Sequence, residues 1–117
     1  MRMNRYLSVV FFKTDAGNEP ARNWLKELSR EEKKIIGTDI KTVQYGWPIG
    51  MPLVKSLHDG LWEIRSELGD RIARTFFTIH NKQIVLLHGI IKKGQKIPKA
   101  DLELARKRLS KFVREAK

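Results

Sequence analysis

The chain has 117 residues, of which 41% are hydrophobic and 32% are charged, and its formal net charge is +11 at pH 7. This length predicts one domain over residues 1–117, large enough to bury a core without disulfides or a structural metal. The absence of cysteine excludes disulfides, thiolate catalysis and cysteine-ligated zinc. The three histidines form no metal-ligand spacing with carboxylates, so we expect neither a metal nor another cofactor.

The positive charge is concentrated in the second half of the chain. Residues 1–64 carry 10 Lys and Arg against 8 Asp and Glu, whereas residues 65–117 carry 14 against 5. A concentrated positive field favours polyanions, with nucleic acid first; simple solubility or an anionic protein partner would also explain it. No apolar run approaches the ~20 residues of a membrane span. Residues 1–12 are a poor signal peptide, so we expect a cytoplasmic protein with no membrane partner.

The first half of the chain predicts one strand and then two helices. Residues 6–13 form a β-rich apolar run. A helix opens at Pro20, and its apolar residues are spaced i, i+3, i+4, i+7. Ser29 and Glu32 have the spacing of a capping box, which begins a second helix over about residues 30–45. The buried positions of this second helix are predicted to be Ile36, Ile40 and Val43.

The second half predicts three strands and a last helix. Residues 47–59 contain two prolines and a glycine, so they indicate a loop with one turn of structure near residues 54–57. Strands follow at about residues 61–67, 71–79 and 83–91, and Pro98 opens the last helix. The order is typical of an α+β domain with a mostly antiparallel sheet and helices packed on one face. The apolar stripe of the last helix is Leu102, Ala105, Leu109 and Phe112.

A pair of arginines faces each other across the first strand–strand turn. Gly69-Asp70 fits a two-residue hairpin loop with glycine first, and counting outward places Arg65 opposite Arg74. Like charges opposite each other on a sheet are destabilising unless an anion comes between them. We therefore predict a phosphate-handling face. The alternative is that each arginine pairs with a nearby acid, namely Glu63, Glu67 or Asp70.

The second turn, Asn81-Lys82, predicts which residues lie beside these arginines. Simple counting places Gly89 opposite Arg74, where it leaves room for a ligand. The same alternation points His88 to the other, more apolar face, which should meet helices. Continued beyond the strand, the alternation places Lys93 rather than Lys92 on the face that carries Arg65 and Arg74, the arginine face.

Several further side chains are candidates for binding or for proton transfer. Lys92, Lys93 and Lys96 follow the last strand and suit a phosphate backbone or a leaving oxygen; an exposed basic loop is the alternative. His58 and Lys55 precede the second of the four strands and are candidates for the edge of the site, as RNA-binding groups or as a general base.

Phe76 is a separate candidate, because it is the aromatic residue that alternation places on the arginine face. We predict that it stacks against a base. The other aromatic residues have the spacing of core positions on helices and strands.

Five blocks of the sequence, in order, resemble the HigB-like branch of the RelE/ParE toxin superfamily. The most specific are GLWEIR at residues 60–65 and LLHGIIKK at residues 86–93. The other blocks are GNEP at residues 17–20 with Trp24-Leu25 after it, PLVKSL at residues 52–57, and RIAR at residues 71–74. The resemblance spans nearly the whole chain and extends through Pro98.

The resemblance implies a toxin of a type II toxin–antitoxin system. Such toxins usually enter the ribosomal decoding site and cut messenger RNA without a metal. The family's functional arginines correspond to Arg65 and Arg74, and its basic segment corresponds to Lys92, Lys93 and Lys96. The implied partners are messenger RNA on the ribosome and a helix-turn-helix, HigA-like antitoxin. Operator DNA would be bound only through the antitoxin.

The identity of the general acid and base stays open. Some relatives carry a catalytic tyrosine or acidic residue near the C-terminus, where this chain has Phe112 and Val113, and neither can transfer a proton. Two other functions stay open, the first because it shares the fold and the second because the C-terminal tyrosine is missing. One is a ParE-like toxin that poisons gyrase by binding it, and the other is an inactive RNA-binding module.

Overall fold

Five strands and three helices make up residues 6–116, the part of the chain that the structure, a computed structural model, describes. The strands are β1 Ser8–Phe11, β2 Val54–Ser56, β3 Trp62–Leu68, β4 Arg71–His80 and β5 Gln83–Lys92. The helices are α1 Pro20–Lys26, α2 Arg30–Gly46 and α3 Lys99–Glu115. Residues 1–5, which belong to the segment judged a poor signal peptide, lie outside the described part.

The strands form one sheet in the order β1-β5-β4-β3-β2. Only β1 and β5 run parallel, and the other three pairs are antiparallel. The predicted α+β class with a mostly antiparallel sheet is thus confirmed. Within residues 6–116, no helix is both long enough and apolar enough to cross a membrane.

Strand β2 corrects the predicted loop over residues 47–59. It is three residues long and pairs with β3, with Val54 opposite Ile64 and Lys55 opposite Glu63. Only Val54 of the three is buried. A strand this short shows no alternation in the sequence, and the flanking prolines dominate the local signal.

Both predicted starts of the first two helices are confirmed. Pro20 occupies the first turn of α1, where its missing N–H costs nothing. At the start of α2 the Ser29 Oγ accepts from the Glu32 N–H at 3.1 Å, and the Ser29 N–H donates to Glu32 Oε1 at 3.0 Å. This reciprocal capping box satisfies two otherwise unpaired donors. Three residues of α2 are buried, as predicted: Ile36, Ile40 and Val43.

Helices cover both faces of the sheet, so the expectation of helices on one face is wrong. Phe76 and Phe77 are consecutive in β4 and point to opposite faces. Phe77 packs in a cluster with residues of α1 and α2. Phe76 packs in a second cluster with Ala105 and Leu109 of α3. The sheet is apolar on both sides over much of its area, and α3 buries the second side.

The first hairpin has the predicted register. Arg65 pairs with Arg74 across β3 and β4. Gly69, at the first position of the two-residue loop, has a φ of 74°, a left-handed value that favours glycine. The second turn also forms as predicted, with positive φ at both Asn81 and Lys82.

A β-bulge in β5 changes the register beyond the second turn. Phe77 pairs with Leu86, but Phe76 pairs with His88, so Leu87 is an extra residue on the β5 side. Arg74 therefore lies opposite Ile90, and the predicted pairing with Gly89 is wrong.

The bulge also exchanges the faces of the residues that follow it. Gly89 lies under the ring of Trp24 in α1, on the face away from the arginines, so it leaves no room for a ligand beside them. His88 stacks on Phe76 with ring centroids 5.7 Å apart, and therefore lies on the arginine face rather than on the predicted one.

The contact between Gly89 and Trp24 predicts a stability change. A Cβ at position 89 would lie 2.1 Å from the Trp24 ring, so Gly89→Ala should lower the free energy of unfolding by about 1–3 kcal/mol through overpacking. Gly37→Ala is the matched control, because nothing lies within 4 Å of a Cβ there and alanine should stabilise the helix by about 0.5–1 kcal/mol. Urea unfolding of both variants measures the difference, and a Gly89→Ala protein as stable as the parent would contradict this packing.

Candidate nucleic-acid interface

The two facing arginines lie in different environments. The Arg74 side chain is 1% exposed, and its Nε lies 3.3 Å from Oε2 of the equally buried Glu63. Arg65 is half-buried and donates from Nη2 to Gln95 Oε1. The like-charge repulsion across the hairpin is thus offset by Glu63, one of the acids that the sequence offered as a partner.

Arg74 also holds the loop between β5 and α3 against the sheet. Its Nη2 donates to the carbonyl oxygens of Gln95 at 2.7 Å and Gly94 at 3.3 Å. Its Nε and Nη1 are buried without a hydrogen-bond partner, because the contact with Glu63 is an ion pair outside hydrogen-bond geometry. Arg74 therefore has no surface to offer a ligand while this loop is in place, and its position suits holding the loop.

A polar cleft of about 370 Å³ opens beside this loop. Lys55 enters it from β2, where it pairs across the strands with Glu63. Three cationic side chains surround a single carboxylate, an arrangement that suits a bound phosphate. The lining residues are Lys55, Glu63, Arg65, Gln95, Lys96 and Ile97.

The carboxyl group of Glu63 is the strongest acid–base candidate of the cleft. Burial raises its pKa above the usual value, and the nearby charges of Arg74, Arg65 and Lys55 oppose that rise. The sequence indicated Glu63 only as an ion-pair partner for the arginines. Its place on the arginine face was visible from strand alternation, but its burial and the cleft above it were not.

Lys92 and Lys93 lie outside the cleft, whereas the third lysine of the cluster, Lys96, lines it. Lys93 is exposed and lies 3.5 Å from Asp70 at the hairpin turn. Strand β5 continues to Lys92, which pairs with Ile72. Because of the bulge, Lys92 and not Lys93 follows the alternation of the arginine face, which corrects the predicted preference.

Phe76 and His58 are also placed differently from the predictions. Phe76 is completely buried beneath α3, so the prediction that it stacks against a base is wrong. His58 is exposed in a loop with a φ of 72°, and it does not line the cleft. Its carbonyl oxygen accepts from Arg106 of α3, which also binds the Leu57 carbonyl oxygen.

His88 joins β5 to α3 through its ring nitrogens. Nε2 lies 2.8 Å from Asp101 Oδ1, and Nδ1 lies 3.2 Å from Arg108 Nη1. Because the guanidinium can only donate, Nδ1 accepts and Nε2 carries the proton that Asp101 accepts. The predicted structural, hydrogen-bonded role fits these contacts, although the side chain lies on the other face.

The end of α3 carries no proton-transfer group at the positions where some relatives have one. Phe112 packs edge-on against His80, with ring centroids 5.2 Å apart, and Val113 is exposed. Within residues 6–116, no three His, Asp or Glu side chains are grouped so that they could hold a metal ion.

Comparison with known families identifies the family to which the chain belongs. The family described as Phage derived protein Gp49-like (DUF891) matches residues 23–110, well over half of the chain. The chain belongs to this Gp49-like family, which is part of the RelE/HigB toxin-like group. Membership is consistent with a toxin of a toxin–antitoxin system. No curated protein matches the chain.

The buried Glu63–Arg74 pair predicts a strong effect of Arg74→Met on stability. The variant leaves Glu63 as an unpaired buried charge, which should lower the free energy of unfolding by about 3–5 kcal/mol near neutral pH. The double variant Glu63→Leu/Arg74→Met removes both charges and should recover most of this loss. Urea unfolding measures both, with Arg65→Met as the control at a half-buried arginine. An equal loss in Arg65→Met would contradict the special role of the buried pair.

The same pair predicts how the defect depends on pH. The pKa of Glu63 is raised in the folded state, so its contribution to stability is complete below the unfolded pKa and is lost as pH rises through the folded pKa. Arg74→Met removes the first of the charges that oppose this rise. The deficit of Arg74→Met should therefore shrink as pH falls from about 8 to about 5. A deficit that stays constant over this range would show that Glu63 is not the group responsible.

Proposed function

We propose that the chain is a HigB-type toxin of a type II toxin–antitoxin system, and that it cuts messenger RNA on the ribosome. The observation that carries this proposal is the cleft in which Lys55, Arg65 and Lys96 surround the carboxyl group of Glu63. Membership of the Gp49-like family supports the toxin class. The +9 charge of residues 65–117 adds attraction toward a polyanion.

The proposed reaction is metal-independent transesterification within the RNA. The 2′-hydroxyl attacks the adjacent phosphorus, and the bond to the 5′ oxygen breaks, which leaves a 2′,3′-cyclic phosphate and a free 5′-hydroxyl. The ribosome would hold the hydroxyl in line with the leaving oxygen, so positioning would supply a large part of the rate.

Arg65 is proposed to stabilise the charge that builds on the phosphorane. It lines the cleft and is half-buried, so a phosphate would meet it in a partly desolvated position. Groups of this kind contribute about 2–4 kcal/mol to transition-state stabilisation. Lys96 and Lys55 would hold the backbone and protonate the leaving oxygen. Lys92 and Lys93, outside the cleft, would add positive charge along the RNA path.

Arg74 is proposed to act through the loop that it holds. Its hydrogen bonds to the Gly94 and Gln95 carbonyl oxygens keep Gln95 and Lys96 at the rim of the cleft. Direct contact of Arg74 with the phosphate, as the family resemblance implies, would require this loop to move.

A HigA-like helix-turn-helix antitoxin is the proposed protein partner. It would neutralise the toxin in the cytoplasm, and the complex of the two proteins would bind operator DNA through the antitoxin alone. A gene for such a protein beside this one would support the assignment.

A toxin that poisons gyrase by binding is the non-enzymatic rival, and an inactive RNA-binding module is another. Neither requires an acid–base group beside clustered cations, so Glu63 at the cleft favours the nuclease. Mapping of message 5′ ends after induction separates the three. New ends inside translated codons support cleavage, DNA-damage signalling without new ends supports the gyrase poison, and RNA binding without either supports the inactive module.

Arg65→Ala gives the decisive test of the cleft as the cutting site. The variant should reduce cleavage of ribosome-bound message roughly 10²-fold, because it removes a donor aimed at the phosphorane. Lys96→Ala should have a smaller effect in the same direction. Lys41→Ala, an exposed cation on α2, is the control and should cut as the parent does. An Arg65→Ala protein that arrests growth and cuts message like the parent would exclude the cleft.

A further inference from the structure

The cleft contains one group able to accept a proton. Among the described residues that line it, Lys55, Arg65 and Lys96 are cations that can only donate, and the Ile97 side chain has no polar atom. The Gln95 amide is neutral, and its Oε1 already accepts from Arg65. Glu63 is the only acid of this set; its Oε2 lies 3.3 Å from Arg74 Nε, and no hydrogen bond occupies that oxygen.

The surroundings of Glu63 combine burial with nearby positive charge. Its side chain is 3% exposed, so few water molecules can stabilise the carboxylate. Three positive charges act on it: Arg74 on β4, Arg65 on its own strand and Lys55 on β2. Lys96, in the loop before α3, lines the same cleft. The ion pair with Arg74 holds one oxygen of the carboxylate, and Glu63 also lines the cleft.

We propose that Glu63 is the general base that removes the proton from the attacking 2′-hydroxyl of the RNA. This assignment rests on the proposed function. The O2′–H bond breaks as the O2′–phosphorus bond forms, and the proton moves to a carboxylate oxygen of Glu63. The phosphorus–O5′ bond breaks, and O5′ takes a proton from the ammonium group of Lys96 or Lys55. The products are the 2′,3′-cyclic phosphate and the 5′-hydroxyl, with no oxidant, reductant or metal consumed.

The proposal explains how a chain with Phe112 and Val113 near its C-terminus can still move a proton. A substrate phosphate on Arg65 would take the place of the Gln95 Oε1, which is the present acceptor of the Arg65 donor. That exchange would open the rim of the cleft above Glu63.

Glu63→Gln is the test, because glutamine keeps the shape and cannot accept the proton. Single-turnover cleavage of ribosome-bound message should fall by about 10²–10³-fold, and binding of the variant to ribosomes that carry message, measured separately, should fall far less. The cleavage rate of the parent should rise with pH as one group loses its proton, and should then level off. This rising limb of the pH–rate profile should disappear in Glu63→Gln. Glu63→Asp should keep the limb at a reduced rate. Circular dichroism and urea unfolding of each variant show whether it folds.

A second measurement separates a base from an acid or from a purely positioning role. A message with sulfur in place of the bridging 5′ oxygen needs no protonation of the leaving group, so its cleavage should still be slow in Glu63→Gln. Rescue by this substrate would overturn the assignment in favour of a general acid. A folded Glu63→Gln protein that keeps the parent's rate and pH profile would also overturn it, and would leave the proposed nuclease intact. If the parent itself leaves message uncut, the proposed function fails and the assignment fails with it.

The pH–rate profile of the parent tests the same idea without any substitution. A rate independent of pH across the range in which a carboxyl group with a raised pKa titrates would contradict a carboxylate base. This measurement remains valid even if Glu63→Gln does not fold.

Discussion

The ion pair between Glu63 and Arg74 is the interaction on which the arrangement of the site depends. Both side chains are almost completely excluded from solvent, and their nearest charged atoms are 3.3 Å apart. Taking two charges out of water is expensive, and their mutual attraction offsets this cost only with good geometry and further hydrogen bonds. Arg74 obtains two such bonds, both from Nη2, to the carbonyl oxygens of Gly94 and Gln95, while its Nε and Nη1 and the Oε2 of Glu63 are without a hydrogen bond. The pair therefore connects the β3–β4 hairpin to a loop that follows β5.

The residues around the cleft have two different roles, because some hold its wall in place and others present charge to its interior. Arg74 is enclosed and orders the loop, while Lys55, Arg65 and Lys96 present charge to whatever enters. A bound phosphate would find these cations already in place, which reduces the ordering cost of binding. Glu63 belongs to both groups, since it neutralises Arg74 and also lines the cleft.

The bulge at Leu87 has a comparable effect on the other half of the sheet. It places both Leu87 and His88 on the side of α3, where His88 contacts Asp101 and Arg108. It also places Gly89 under Trp24, so that α1 can approach the sheet closely. Helices therefore meet this part of β5 from both faces, with α1 on one and α3 on the other.

Features set by neighbouring residues were predictable from the sequence alone. The capping box of Ser29 and Glu32, the two turns, and the pairing of Arg65 with Arg74 follow from local backbone chemistry, and the structure confirms them. Only the tertiary structure decided the rest. A bulge inside an apolar strand leaves no mark in the residue pattern, so the faces of His88 and Gly89 were predicted wrongly. The burial of Arg74 depends on a loop some 20 residues further along the chain, a contact that local sequence patterns do not show. Arg74 was therefore predicted to clamp a phosphate, whereas in the structure it holds the loop that borders the cleft.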